Sequence, residues 1–431
     1  MKRGFYTVMA AQFFSSLADN ALLIASIALL ITLKGPAWMT PLLKFFFTVS
    51  YVVLAAFVGA FADALPKGRV MFFTNSIKIF GCSLLFFTQE ITPQGMPEHL
   101  TVLLAYAVVG LGAAAYSPAK YGILTEMLPP QQLVVANGWI EGLTVASIIL
   151  GTMMGGMLIS PKISAMLLSF DFPMIDTGID TPHEAAILII GVFYLLAAAF
   201  NLHIPDTGAR YPKQQTNPLV LIRDFGHCFV LLWRDKLGQI SLAVTTLFWG
   251  AGATLQFIVL KWAENHLHLP LDRGAILQGI VAVGIAIGAV LAGRFVPLRR
   301  SLSVLPLGIA MGALVIVLIF VTWMPLVYLM LVLIGAIAGF FVVPMNALLQ
   351  HRGHVLLSAG HSIAVQNFNE NLNILVMLAL YALMIKYNFH INTIIILFGL
   401  SVSMTMWLIM RRHAHNQRQG DSMHLIGIEK H

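Results

Sequence analysis

The chain is poor in charge, poor in cysteine and lacks the short motifs that mark common enzymes. Asp, Glu, Lys and Arg make up only 10% of its 431 residues, too few to solvate a soluble domain. Its two cysteines, Cys82 and Cys228, stand far apart in the sequence. That excludes a disulfide framework and a cysteine-based metal motif. There is no phosphate-binding Gly loop, no dinucleotide glycine pattern and no clustered set of metal ligands. None of the 14 histidines has an aspartate five residues later, so the His–Asp pair of glycerolipid acyltransferases is missing. Neither an enzyme nor a cofactor is expected. Ten-residue segments of alternating polarity are absent too, which excludes an outer-membrane barrel.

What the chain has instead is apolar length. Hydrophobic residues make up 58% of it, in stretches near 20 residues or longer, enough for α-helices to cross a ~30 Å hydrocarbon core. The expected class is an all-α polytopic membrane protein. Lys2 and Arg3 precede an apolar run that mimics a signal peptide, but Asp19 interrupts it and the run continues to Thr32. No small-residue cleavage site follows, so this run reads as a retained first helix. Hydropathy predicts twelve helices, at 5–33, 42–62, 69–89, 100–127, 133–159, 184–204, 239–263, 274–296, 301–323, 325–351, 358–386 and 390–410. An even number places both termini on one side. Most of the 25 basic residues, including Lys2, Lys213 and Lys430, fall on that side, against Lys34, Lys44, Lys162, Lys261, Arg273 and Lys386 opposite. The positive-inside rule makes the termini cytoplasmic and accounts for the net charge of +7 without a nucleic-acid partner.

The longest polar stretch, 205–238, divides the chain into expected bundles at 1–204 and 239–412, with a polar, flexible cytoplasmic tail at 413–431. Within this linker, LVLIRDFGHCFVLLWRD is amphipathic enough to lie on a membrane surface. The halves repeat. The fourth helix ends GAAAYSPAKYGILTEM and the tenth ends AGFFVVPMNALLQHR, with Pro118 and Pro344 each followed two places on by a polar residue, Lys120 and Asn346. Matched prolines in a repeat of this kind suggest paired bending elements, and the parallel repeat fits the two halves of a major facilitator transporter.

GAFADALPKGRV joins the second and third helices and carries Gly59, Asp63, Lys67 and Arg69. It resembles the signature loop of that superfamily, with two extra residues between acid and glycine. Gly59 permits close helix approach, Asp63 can accept from a helix N-terminus, and Lys67 and Arg69 can pair across the cytoplasmic face. The second copy has Ala292 where the acid would fall, so only the first half can form this latch, expected to favour an outward-open state.

Charge inside the apolar runs marks the candidate site. A charge at the bilayer centre costs about 3 kcal/mol even on the lenient translocon scale, so it is rare unless it faces a partner or a polar cavity. Gln12, Ser15, Ser16 and Asp19 form one stripe of the first helix, with Asn20 beside it. The eleventh helix carries Gln366, Asn367, Asn369, Glu370, Asn371 and Asn373, and the seventh carries Gln256 and Lys261. Interhelical hydrogen bonding, worth ~0.6 kcal/mol per pair, is the alternative role for the amides. Lys120 lies one to two turns inside the fourth helix, where it either snorkels or meets a phosphate. Lys78 should snorkel or pair with a neighbouring acid, and Glu141 is a candidate for a buried pair without an assigned partner.

AQFFSSLADNALL, AAYSPAKYGIL, FWGAGATLQF, GFFVVPMNALLQ and AVQNFNEN, in this order and spacing, resemble the bacterial lysophospholipid transporter family of the major facilitator superfamily, over about Phe5 to Arg412. The resemblance implies a major facilitator fold of twelve helices in two six-helix bundles in the bacterial inner membrane. It implies inward movement of lysophosphatidylethanolamine and lysophosphatidylglycerol for re-acylation by a cytoplasmic acyltransferase–acyl-carrier-protein synthetase. It points to Asp19, Lys120 and Glu370 as the charged site residues, in a chain expected to act as a monomer. The family often has a basic residue where this chain has Gln256. Met and Phe, 21 and 28 of them, can line the path of an acyl chain. The rival expectation is a proton-coupled exporter or symporter of a small molecule, with Asp19 or Glu370 titrating.

Overall fold

A computed structural model of the chain describes residues 3–35, 39–169, 179, 181–212, 217–269, 271–420 and 423–426. Of the basic residues counted for orientation, Lys2, Lys213, Lys430 and the Arg273 side chain lie outside what is described. Every regular element among the described residues is helical. Eleven helices are long and apolar enough to cross a membrane, and one bent pair makes a twelfth span, as hydropathy predicts.

The helices group by packing into two compact units, Met1–Lys120 with Ala146–Gln214, and Tyr121–Val145 with Gln215–His431. In this grouping Tyr121–Val145 packs with the later helices. Small residues make that possible: Gly122 lies against Ala359, and Gly138 against the carbonyl of Ala289.

The first unit contains α1 (Arg3–Thr32), α2 (Thr40–Val53), α3 (Ala55–Ala64), α4 (Lys67–Phe86), α5 (Thr88–Ile91), the first part of α6 (Glu98–Met127), the last part of α7 (Leu133–Ile159), α8 (Pro161–Leu168) and α9 (Pro182–Leu202). α9 begins where a proline follows a capping box. The Thr181 hydroxyl accepts from the Glu184 amide, and the Glu184 carboxylate accepts from the Thr181 amide. The helix expected at 42–62 is broken, with α2 and α3 meeting at 67°. No proline or glycine causes this. At Leu54 the carbonyl accepts from Phe57 as well as Val58, a tighter three-residue step that redirects the helix.

The second unit adds α10 (Pro218–Arg234), α11 (Gly238–His266), α12 (Leu271–Phe295), α13 (Pro306–Val317), α14 (Met324–Leu356), α15 (Ala359–Lys386) and α16 (Ile391–Arg418). The span expected at 301–323 is α13 flanked by 3-10 turns at Leu298–Val304 and Leu318–Phe320. α12 and α14 press together through G-x-x-x-G patterns on both, Gly284/Gly288 and Gly335/Gly339, and a β-carbon at any of the four would run into a carbonyl of the facing helix. The linker helix α10 is capped by Asn217, whose side chain accepts from the Leu219 amide. Its Leu232 joins a small core with Leu242, Leu349 and Val365. Pro118 and Pro344 both sit inside continuous helices, α6 and α14.

The end of the last helix departs from expectation. The last helix does not end near 410 but continues to Arg418. Arg412 donates to Gln239 at 2.8 Å, and Asn416, buried, donates to the carbonyl of Lys236 at 3.2 Å. At the end of this helix, polar side chains reach back to α11 and its approach.

Candidate functional site

Polar side chains inside the helices gather into one cluster in each unit. In the first, α1 places Gln12, Ser15, Ser16 and Asp19 on one face, as the stripe predicts, with Gln12 and Ser15 buried and Asp19 partly accessible. Lys78, from α4, is the partner of Asp19. Its Nζ lies 2.7 Å from Asp19 Oδ2 and 2.9 Å from the Ser15 hydroxyl. Ser15 in turn donates to Asn75 Oδ1 at 2.8 Å, and the Tyr194 hydroxyl of α9 donates to Asp19 Oδ1 at 2.7 Å. Of the two roles open to Lys78 in the sequence, pairing with an acid is the one realised. The ammonium also lies over the rings of Tyr116 and Tyr194, at 5.0 and 5.7 Å. Gly112 leaves room for the lysine stem, since a β-carbon there would come 2.8 Å from Lys78 Cγ. The lysine side chain is 2% exposed and the aspartate side chain 18%, so the carboxylate is the accessible end of the pair. Asn20 donates to its own helix, at the Ser16 carbonyl, 2.8 Å away.

The signature loop folds on itself. Lys67 Nζ lies 2.6 Å from Asp63 Oδ1 and 2.7 Å from the Ala62 carbonyl, and over the Tyr211 ring at 4.8 Å. Lys67 is buried beside the acid, and Arg69 is exposed. Gly59 is buried on α3. Nearby Asp206 is held by Arg210 through two bonds, at 2.7 and 3.0 Å. Arg210 and the Gly208 amide hold its carboxyl down to about 2, with Arg69 adding to the effect.

The second unit holds a chain of amides and acids. Gln366 donates to Glu370 Oε1 at 2.8 Å and to Asn346 Oδ1 at 3.0 Å, and Asn346 donates to Glu141 Oε1 at 3.3 Å. All four residues are buried, and together they tie α15, α14 and α7. One step along α7 and α14, Asn137 and Gln350 exchange two bonds of 2.9 Å each. Asn367 is buried beside Gln366. Asn369 accepts from the Trp233 indole at 3.3 Å, and Asn373 donates to the Thr246 carbonyl at 2.8 Å. Glu141 therefore gains Asn346 as a partner. Asn137, Gln350 and Trp233 were not anticipated, since single polar residues in long apolar helices carry no signal of their partners.

Gln256 does not join this cluster through its side chain: it is exposed, and its carbonyl accepts from Gln278 at 2.7 Å. Lys261 pairs with exposed Glu264 at 2.8 Å. Lys120 is half-buried at the end of the first unit's share of α6 and interacts with its surroundings.

A family model described as the Major Facilitator Superfamily matches residues 8–372. The chain is 40% identical to the lysophospholipid transporter LplT of Yersinia enterocolitica serotype O:8 / biotype 1B, over 90% of this chain and 88% of that one. It has the same identity and coverage with LplT of Yersinia pestis strain Pestoides F. Among solved structures, a bacterial homologue of the iron transporter ferroportin in an outward-facing state superposes with a TM-score of 0.71 at 13% identity, covering 97% of this chain and all of that one. The E. coli fucose:proton symporter superposes with a TM-score of 0.69 at 14% identity, covering 96% and 98%. At such identities the likeness shows the fold alone.

Proposed function

We propose that this chain, which belongs to the lysophospholipid transporter family of the major facilitator superfamily, carries lysophosphatidylethanolamine and lysophosphatidylglycerol from the outer to the cytoplasmic leaflet of the bacterial inner membrane. One observation of the site carries the reading: an accessible carboxylate, Asp19, held by a buried lysine and a tyrosine hydroxyl. A phospholipid head brings a phosphate and, in the ethanolamine lipid, an ammonium. Asp19 can exchange its lysine partner for that ammonium without being left bare. Lys120 receives the phosphate as a point charge on the cytoplasmic side.

The lipid gains access laterally from the outer leaflet. The residues assigned to its head are Asp19, Asn20 and Gln12 in the first bundle and Gln256, Gln366, Asn367 and Glu370 in the second, and the lipid is released inward by alternating access. Such a cycle works only if the lipid binds the two states with different affinity. In this scheme Asp63 and Lys67, with Gly59 and Arg69 beside them, stabilise the state closed to the cytoplasm, and Pro118 and Pro344 mark the helices that bend. Both termini are cytoplasmic, the chain works as a monomer, and its product feeds a cytoplasmic acyltransferase–acyl-carrier-protein synthetase. Asp63→Asn should shift cysteine labelling toward an inward-open pattern, and unchanged labelling would remove the latch from this scheme.

The test is uptake of labelled lysophosphatidylethanolamine into spheroplasts, comparing wild type with Asp19→Asn, Lys120→Ala and Glu370→Gln. Normal uptake by all three variants would sink the site. A second reading, proton-coupled transport of a small molecule, is favoured by the Asp19–Lys78 contact, because protonating the acid would release the lysine. Under that reading an imposed pH gradient drives uptake; under the lipid reading it does not.

A further inference from the structure

The linker helix α10 is fastened on one side and bare on the other. Its inner side sits on the second unit. Phe225 and Phe229 meet the edge of Phe368 of α15, with ring centroids 5.5 and 6.1 Å apart. Trp233 donates to Asn369, the neighbour of Glu370. Just past the helix, Asp235 accepts two bonds from Arg352 of α14, at 2.7 and 3.1 Å, and one from the Gly238 amide at 2.7 Å. These contacts set the rotation of the helix about its axis, and so decide which residues face outward.

The exposed residues of α10 fall on one arc at 3.6 residues per turn. Ile222, Gly226, Leu219 and Val230 fill one edge of it, and Arg223, Arg234 and His227 fill the other. Neither arginine has an acid partner among the described residues. An apolar strip bordered by a basic strip suits a helix lying in a membrane interface, its apolar side sunk about 5–10 Å into the boundary of heads and chains.

The packing puts α10 at that depth. It crosses α15 at Phe368. From there to the far end of α15 at Lys386 is about 27 Å at 1.5 Å per residue, close to the thickness of a hydrocarbon core. α16 marks the same level: Trp407 lies about 24 Å from the helix start at Ile391, and the Arg411 guanidinium sits 4.7 Å from the Trp407 ring centroid. Tryptophan and arginine paired in this way belong to the head-group layer. Lys236, just after α10, reaches the Gly420 carbonyl beyond the same end of α16, at 3.4 Å.

We propose that the outer face of α10 is a binding surface for anionic phospholipid. Leu219, Ile222 and Val230 sit in the acyl boundary, and Arg223 and Arg234 take the negative heads. This goes beyond the transport reading and holds whatever the substrate is. A zwitterionic lipid satisfies the apolar strip equally well; only a negative surface rewards the basic one. Each arginine near such a surface favours it by about fivefold.

The test uses the full-length protein with Cys82→Ala and Cys228→Ala, a bimane fluorophore on Ile222→Cys, and nanodiscs of phosphatidylcholine. A minor fraction of the lipid is brominated, either as phosphatidylglycerol or as phosphatidylcholine. Brominated phosphatidylglycerol should quench the fluorophore more strongly than brominated phosphatidylcholine at the same fraction. Arg223→Gln with Arg234→Gln should lose that preference, and Arg223→Lys with Arg234→Lys should keep it. Equal quenching by the two lipids before any arginine is changed would overturn the proposal, because the face would then read apolar surface and not charge. Quenching by neither would overturn it too, since water or a second copy of the chain would cover the face. A preference that survives the paired glutamine variant would take the role away from these arginines.

Discussion

The two units solve the same problem, a carboxylate inside an apolar helix, in different ways. In the first, Asp19 meets an ammonium and a phenol. In the second, Glu370 and Glu141 are reached by the amides of Gln366 and Asn346. A buried ion pair is all or nothing, because removing one partner leaves an uncompensated charge. An amide chain can exchange donors and acceptors one at a time, each worth about 0.6 kcal/mol in a membrane. In the scheme proposed above, the first arrangement is the one assigned to the charged head.

The largest effect that would break this contrast belongs to Lys78. Lys78→Met should cost about 3–5 kcal/mol of stability by stranding Asp19, read as a fall in the thermal midpoint of the purified protein, and should abolish uptake. Adding Asp19→Leu should restore the midpoint while uptake stays lost. If Lys78→Met melted like wild type, the pair would not be the structural element described.

Next in size is the difference between the two acids. Asp19→Asn offers one oxygen to two donors, Lys78 and Tyr194, so uptake should fall about tenfold or more, given 1.5–3 kcal/mol for a hydrogen bond to a charged group. Glu370→Gln keeps an oxygen for Gln366 and should lower uptake only about threefold, in line with ~0.6 kcal/mol per amide bond. Equal losses in initial-rate measurements would erase the distinction between the units.

How much of this was legible in the sequence follows the same division. Spans were legible because apolar length is local: the fourth and fifth predicted helices, 100–127 and 133–159, appear as Glu98–Met127 and Leu133–Ile159. The Asp19 stripe was legible because helical spacing is local too. The partners were not. Lys78 lies 59 residues from Asp19, and Asn346 lies 205 from Glu141, so only packing brings them together. The break at Leu54 carries no proline or glycine to announce it. The end of the last helix at Arg418 was not legible, because Arg412 and Asn416 find partners on α11 and its approach that composition does not reveal.

A smaller effect tests whether the second unit's amides act as separable bonds. Asn137 and Gln350 exchange two hydrogen bonds with each other. Each single alanine substitution should destabilise by about 1–3 kcal/mol by leaving the other amide unsatisfied. The double substitution should cost less than the sum, with a coupling of about 0.6 kcal/mol. A coupling of several kcal/mol in a thermal-melt cycle would mean that this unit, too, behaves as an ion pair does.

The smallest expected effect comes from a matched pair of contacts in the first unit. Lys67–Asp63 and Arg210–Asp206 are both acid–base pairs at i,i+4 spacing, with N–O distances of 2.6 and 2.7 Å. The first is sealed from solvent and the second is open to it. Exposure screens the second pair, so it should add little to folding however short its bonds. Its carboxyl is nevertheless held down to about 2 from an ordinary 3.8. A lowered acid of this kind contributes above its unfolded value and loses that contribution as pH falls through its folded one. Between pH 5 and 8 the pair is therefore fully formed and constant. Asp206→Asn should leave uptake, its pH profile in that range and the thermal midpoint unchanged. A clear drop in any of the three would mean that the connector after α9 does more than link the two halves.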